Sequence, residues 1–228
     1  MRVVAVVKAA GKDKFTATHT AAYTVTGDGV VAVDNDVKFE GPRIVLARLG
    51  VRLLLDKRLD QLTWLGRGPL ENYADRKSGF DVGLYSIGVA DQYAYEKPME
   101  HANHEDIRWL ALTGSRLPGL LVRAEGNLLQ ASAVTHTDEQ MMPVEYKIDL
   151  PPSEATVLCL SAKTLGVGSN GCGFRPPERC VVHSDPAKFS YSLRLLPAGK
   201  KPTPELGRQP PLKTTRSGGD IACGLHDK

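Results

Sequence analysis

Alternation of apolar and polar side chains with a period of two, cut at short intervals by glycine and proline, most limits what this chain can become. Residues 18–26 and 30–39 show it most cleanly. Between them stands Gly27-Asp28-Gly29, a run that accepts the positive φ angles of a tight hairpin turn. In the second arm Asp34 and Asp36 fall on one face, and Val33, Val37 and Phe39 fall mostly on the other. One face is thus set for water and one for burial. Gly41-Pro42 closes the arm, and residues 43–55 form a further apolar stretch that stops at Asp56-Lys57-Arg58. Residues 60–65 lead into a Gly/Pro turn, and further strands are expected at 106–112, 119–124, 128–134, 156–162 and 189–196, with turns at Gly114-Ser115, Pro118-Gly119, Gly126-Asn127 and Pro151-Pro152. The apolar run at 1–10 reads as one more strand, because a single basic residue and no following pattern make a poor signal peptide. One short helix is expected at 137–144, opened by Thr137-Asp138-Glu139-Gln140 and ended by Pro143. Many strands, Gly/Pro turns and almost no helix predict an all-β fold, a large antiparallel β-sandwich.

The 228 residues suffice for one large β domain, and a chain of that length buries about 70% of its unfolded surface. From Gly199-Lys200-Lys201-Pro202 onward large apolar residues are almost absent. Residues 199–228 are therefore expected to form a mobile Pro/Gly/Lys-rich tail behind a sandwich of residues 1–198. The formal charge of +3 comes from interspersed acids and bases, with no basic run to serve as a nucleic-acid interface. No apolar stretch approaches the ~20 residues of a membrane span, and nothing in the sequence assigns a compartment. The four cysteines, Cys159, Cys172, Cys180 and Cys223, form no CxxC pair, which argues against a zinc centre. A Cys172–Cys180 bridge stays open beside the simpler reading of free thiols.

The densest motif is Trp64-Leu-Gly-Arg-Gly-Pro-Leu-Glu-Asn-Tyr-Ala-Asp-Arg76. Gly66, Gly68 and Pro69 point to a tight turn, and Glu71, Asn72, Tyr73, Asp75 and Arg76 follow at once. The carboxylates and the arginine form either an ion-pair network that pins the turn or a direct sugar contact. The segment closely resembles W-L-G-x-G-P-x-E-N-Y-x-D-R of the large β-galactosidases of glycoside hydrolase family 2, where it lies in the C-terminal β-sandwich outside the catalytic barrel. Three further stretches resemble that family in the same order. Tyr95-Glu-Lys-Pro-Met-Glu100, Asn103 and the Arg108-Trp109 strand match its Y-x-x-P-x-E-x-G-N segment and R-W strand. Trp109 alternates with Ile107 and Ala111 and is expected in the core, with Arg108 on the opposite face. Glu100 and Asn103 either bind a hydroxyl-rich ligand or anchor their loop. Residues 132–139 match a third segment, in which His136 is a candidate for acid–base work or a hydrogen-bonded turn residue.

The fourth stretch, Leu165-Gly-Val-Gly-Ser-Asn-Gly-Cys-Gly-Phe-Arg-Pro176, resembles the family's M-G-x-G-G-D-D-S-W-x-P loop. There the loop reaches the barrel and its Trp helps floor the sugar site. Here that position falls on Gly173, with Phe174 beside it, Asn170 at a position often held by Asp, and Ser161 near another. Asn170, Gly173, Phe174, Glu100 and His136 are the candidate sugar-binding residues.

The resemblance implies a galactose mutarotase-like supersandwich, a small-chain-like component of a β-galactosidase. It further implies that the two catalytic glutamates, with the Mg and Na ions of the family, belong to a (β/α)8 barrel on the same or another chain. On this reading the chain carries no catalytic residue or cofactor of its own. Its partners are that barrel and a galactoside, with a homo-oligomer also open. Two rivals remain, a free-standing carbohydrate-binding sandwich and an aldose epimerase using Asn103-His104 with His136 or His183.

Overall fold

The computed structural model describes residues 1–92, 95–168, 174–208 and 220–222. Its strands run in the order β1 (Arg2–Ala10), β2 (Thr16–Val25), β3 (Val31–Glu40), β4 (Arg48–Asp56), β5 (Gln61–Gly68), β6 (Asp81–Gly88), β7 (His104–Ile107), β8 (Trp109–Thr113), β9 (Gly119–Glu125), β10 (Leu129–Val134), β11 (Ala155–Thr164), β12 (Ala187–Leu196) and β13 (Asp220–Ala222). Nine of them form one sheet, ordered β13-β1-β2-β3-β12-β9-β8-β5-β6, and four form a second, ordered β4-β11-β10-β7. The pairings are antiparallel except for β1 with β13. This is the all-β sandwich that the alternation predicts. Gln140 and Thr137 form a reciprocal capping box at the start of the short helix α1 (Asp138–Met141), as the Thr-Asp-Glu-Gln run leads one to expect. Among the described residues no helix is long and apolar enough to cross a membrane.

The main core lies between the sheets. Val33, Leu62, Trp64, Leu110, Leu112, Val122 and Phe189 from the large sheet meet Ile107, Leu129, Leu158 and Leu160 from the small one. Each such side chain contributes about 1.5–3 kcal/mol on leaving water. Two smaller clusters lie on the outer faces. Val134, Val157 and Cys159 are covered by Ala102 outside the small sheet. Trp109, Ala111, Leu121 and Leu196 pack with Leu206 outside the large one.

Three local expectations change. Residues 106–112 are not one strand: β7 belongs to the small sheet and β8 to the large one, so the chain changes sheets at Arg108. Ile107 therefore faces the main core while Trp109, fully buried, lies in the outer cluster. Packing also continues past residue 199. Leu206, in a 3-10 turn over Pro204–Arg208, is buried against the Trp109 cluster, so the compositional boundary comes too early. Finally, Gly66 and Gly68 lie inside β5 rather than in a turn. A Cβ at Gly66 would stand 2.7 Å from Ile107 and one at Gly68 2.6 Å from the Tyr85 ring. They are glycines because neighbouring side chains cross their backbone.

Candidate functional site

The densest motif folds into a corner at the end of β5, just after the cis Gly68–Pro69 peptide. Asn72 is fully buried and ties the corner together. Its amide donates to the carbonyls of Leu70 (2.9 Å) and Arg67 (3.3 Å), and its oxygen accepts from the Glu105 N–H at 2.8 Å. Its backbone exchanges bonds with Asn103: the Asn72 N–H donates to the Asn103 carbonyl at 2.7 Å, and the Asn103 amide donates to the Asn72 carbonyl at 2.8 Å. Trp64 donates through Nε1 to the Arg67 carbonyl at 2.9 Å. These bonds join residues 64–72 to residues 103–105, a link between segments far apart in the chain.

The charges of the corner are paired with one another. Glu71 accepts from Arg76 and Tyr95 on one oxygen and from the Ala102 N–H at 2.8 Å on the other. Arg76 also lies over the Tyr73 ring, 5.4 Å from its centroid. Tyr73 is buried, and desolvation, then the carboxylates of Glu100 and Glu71, push its phenol far up. Arg67 pairs with Asp106, and Lys77 reaches Glu105 (3.2 Å) and Asp106 (3.4 Å). Burial raises the Glu105 carboxyl despite Lys77. Arg108 turns back to donate to the Asp106 carbonyl at 2.7 Å. Ala102 and Asp106 hold left-handed φ angles of 62° and 56°, a conformation this network enforces against a cost of about 1 kcal/mol each.

Asp75 reaches furthest. Its carboxylate accepts from the backbone N–H groups of Val167 (3.1 Å) and Gly168 (2.8 Å). A Cβ at Gly166 would lie 2.6 Å from it. The corner thus holds the base of the glycine-rich loop, whose other side is fixed where the Gly166 N–H donates to the Cys180 carbonyl at 2.9 Å. At the far end of the loop Phe174 is 89% exposed, and its carbonyl oxygen would stand 2.6 Å from a Cβ at Gly168. Asn170 and Gly173, the other two candidates of this loop, and Cys172 lie outside the described residues.

Glu100 and His136 come together elsewhere, in a small cleft over the outer face of the small sheet. It is lined by Arg48, Arg52, Ser132, Asp138 and Cys159, and its volume of about 10 Å³ suits one water. Glu100 pairs with Arg48, which also reaches Asp138 at 3.6 Å and donates to the Cys159 sulfur at 2.9 Å. Burial raises the Glu100 carboxyl even against the pull of Arg48, and its Oε1 is buried without a partner. His136 is buried, with Nε2 donating to the Pro151 carbonyl (2.7 Å) and Nδ1 2.9 Å from the Thr135 hydroxyl. Both of its nitrogens are engaged. Arg48 and Arg52 were missed from sequence. Their spacing of four along a strand, which places both on one face, was the available signal. Cys159 and Cys180 are free and buried.

His101 lines the same cleft as His136, whereas His104 and His183 occupy other settings. His104 packs against Trp64, ring centroids 4.1 Å apart and planes tilted by 30°, with Nε2 3.3 Å from Gln92 Oε1. Burial pulls its pKa down to about 4. His183 pairs with Glu178 at 2.8 Å. An epimerase cleft would need these imidazoles gathered; here His104 and His136 line different cavities.

Fold and corner together define an antiparallel β-sandwich whose polar corner anchors a glycine-rich loop. The chain belongs to the β-galactosidase small chain family, whose model matches residues 2–195. Among curated relatives, a β-galactosidase of Priestia megaterium is 28% identical over 149 residues, covering 65% of this chain and 14% of the relative. One from Arthrobacter sp. (strain B7) is 31% identical over 61% of this chain and 15% of its own length. One from Lactobacillus delbrueckii subsp. bulgaricus is 31% identical over 78% of this chain and 17% of its own. The chain thus spans about a sixth of the curated relatives it matches.

Proposed function

We propose that this chain is the non-catalytic small-chain domain of a β-galactosidase, acting on terminal β-galactosides such as lactose. A (β/α)8 catalytic domain, on the same or another chain, supplies the carboxylate pair for glycoside cleavage and the metal ions. This domain completes one wall of the sugar pocket and joins subunit contacts. The observation that carries the reading is Phe174, 89% exposed beside a loop base that Asp75 holds by two backbone hydrogen bonds. An exposed aromatic ring suits the apolar C–H face of galactose. Asn170 and Gly173 belong to the same loop by sequence.

The test is complementation. A β-galactosidase catalytic chain lacking its corresponding segment is assayed on a chromogenic galactoside with and without this domain. The domain alone is expected to be inactive, both here and in a coupled galactose mutarotation assay, and hydrolysis is expected to appear on mixing. Phe174→Ala should raise KM more than it lowers kcat. Failure of the unsubstituted domain to restore hydrolysis, or turnover by the domain alone, sinks the reading.

A further inference from the structure

The corner also carries a pocket that no described residue of the glycine-rich loop lines. An open depression of about 370 Å³ lies between Pro69, Leu70, Phe80 and Ala102, with Gln92, His104 and the Glu71–Arg76 pair around them. That size lies within the range of small-molecule sites, roughly 300–1,000 Å³.

Most polar groups of the wall already have partners; the exception is His104 Nδ1, which is buried without one. The Gln92 amide nitrogen donates to the Ala133 carbonyl, and its oxygen faces His104 Nε2 at 3.3 Å. Both Glu71 oxygens accept bonds from within the protein, one of them from Arg76. A sugar entering here would lose its water and gain few hydrogen bonds in return, which is costly for each hydroxyl. An ion would meet a carboxylate and a guanidinium that neutralise each other, beside an imidazole that is uncharged at neutral pH. What the wall does offer is apolar surface and the edge of a ring pair.

We propose that this pocket is a binding site for a small, neutral, flat apolar compound, a benzene-sized ring seated between Leu70, Phe80 and Ala102. The ring either comes free or is carried as the aglycone of a galactoside. The proposal stands apart from the role given to the glycine-rich loop, since none of that loop's described residues lines the pocket.

Trp64 packs against His104, a wall residue, so its emission reports on the pocket. The chain has two tryptophans, and Trp109→Phe leaves Trp64 as the sole one. Saturation-transfer NMR on the unsubstituted chain gives the same reading without that change. Phenol and phenyl β-D-galactoside are each titrated in, with galactose as the comparison. Both ring compounds are expected to saturate the signal in the millimolar range, and galactose to leave it flat. Equal affinities assign a free aromatic; clearly tighter binding of phenyl galactoside assigns an aglycone. Ala102→Phe fills the pocket and Leu70→Asp, at a residue 64% exposed, charges its mouth. Each should weaken binding by about tenfold, or ~1.4 kcal/mol. The proposal falls if galactose gives the same response, if neither ring compound saturates, or if both substituted chains bind phenol as the parent does.

Discussion

The space between the sheets and the corner at residues 64–77 are both buried, yet they are built by opposite means. Between the sheets, Leu110, Leu112, Leu158 and Leu160 meet with no polar atom to satisfy. Many residues of similar shape could stand there, because burial of apolar area is non-directional. In the corner, Asn72, Asn103 and Glu105 are equally buried; the two asparagine amides bond particular backbone groups, and the Glu105 carboxylate accepts from the Asn103 amide and Lys77. The first region rewards a pattern and the second rewards identity, so the polar residues of the fingerprint lie in the corner while its Trp64 reaches into the core.

Single substitutions should separate the two regimes. The largest effect is expected in the core. Leu158→Ala, at a fully buried site, should cost about 2–5 kcal/mol in urea unfolding, whereas Leu158→Met should cost under ~1.5 kcal/mol. A large loss from Leu158→Met would break the comparison, since the core would then also demand identity. In the corner, Asn72→Ala strands the Glu105 N–H and the Leu70 carbonyl. It should cost about 1–3 kcal/mol. Asn72→Leu, though nearer in volume and apolar, should rescue nothing. If it restores stability, the corner is held by packing after all.

These two regions also mark how far the sequence could be read. The hairpin of β2 and β3 lies where the alternation and Gly27-Asp28-Gly29 put it. Strand β6 was not foreseen, because Gly83 and Gly88 dilute its pattern; Gly83 is small because the Tyr85 ring would stand 2.9 Å from a Cβ there. Periodicity failed at Arg108 because it assumes that one strand stays in one sheet, and a change of sheet inverts the faces without changing the pattern. Leu206 was lost to composition, since one leucine among prolines and lysines does not show that Trp109 awaits it. Glu71 and Arg76 were legible as a pair because they are near in sequence. The bond from Asp75 to Gly168 spans 93 residues, and no local signal announces it.

A pH dependence distinguishes the corner next. His104 sits against Trp64 with its pKa pulled down to about 4 by burial, from an ordinary 6.5. Above pH 6.5 the imidazole is neutral both folded and unfolded, so it leaves stability unchanged. Below that the unfolded chain binds a proton that the folded one does not until pH falls to about 4, so stability drops with pH across this window. Between pH 6.5 and 5 the loss from this residue should be about 2 kcal/mol. His104→Gln should flatten that portion of the profile. An unchanged slope would mean that the imidazole is protonated in the folded corner.

The smallest effect on stability falls on Asp75, and there it separates holding from folding. The carboxylate bonds two N–H groups at the base of the loop, next to a residue 38% exposed, Val167. Water can replace part of what is lost, so Asp75→Ala should cost about 1 kcal/mol or less. Amide exchange should nevertheless quicken at Val167 and Gly168 while β11, whose strand bonds do not involve Asp75, keeps its protection. In the complementation assay the same substitution should raise KM more than it lowers kcat, because a loosened base costs positioning before chemistry. Unchanged exchange at those two amides would cut the link between corner and loop. An even loss of protection along β11 would make Asp75 one more core residue, and the distinction between the two regions would fail at the point where it matters for the sugar.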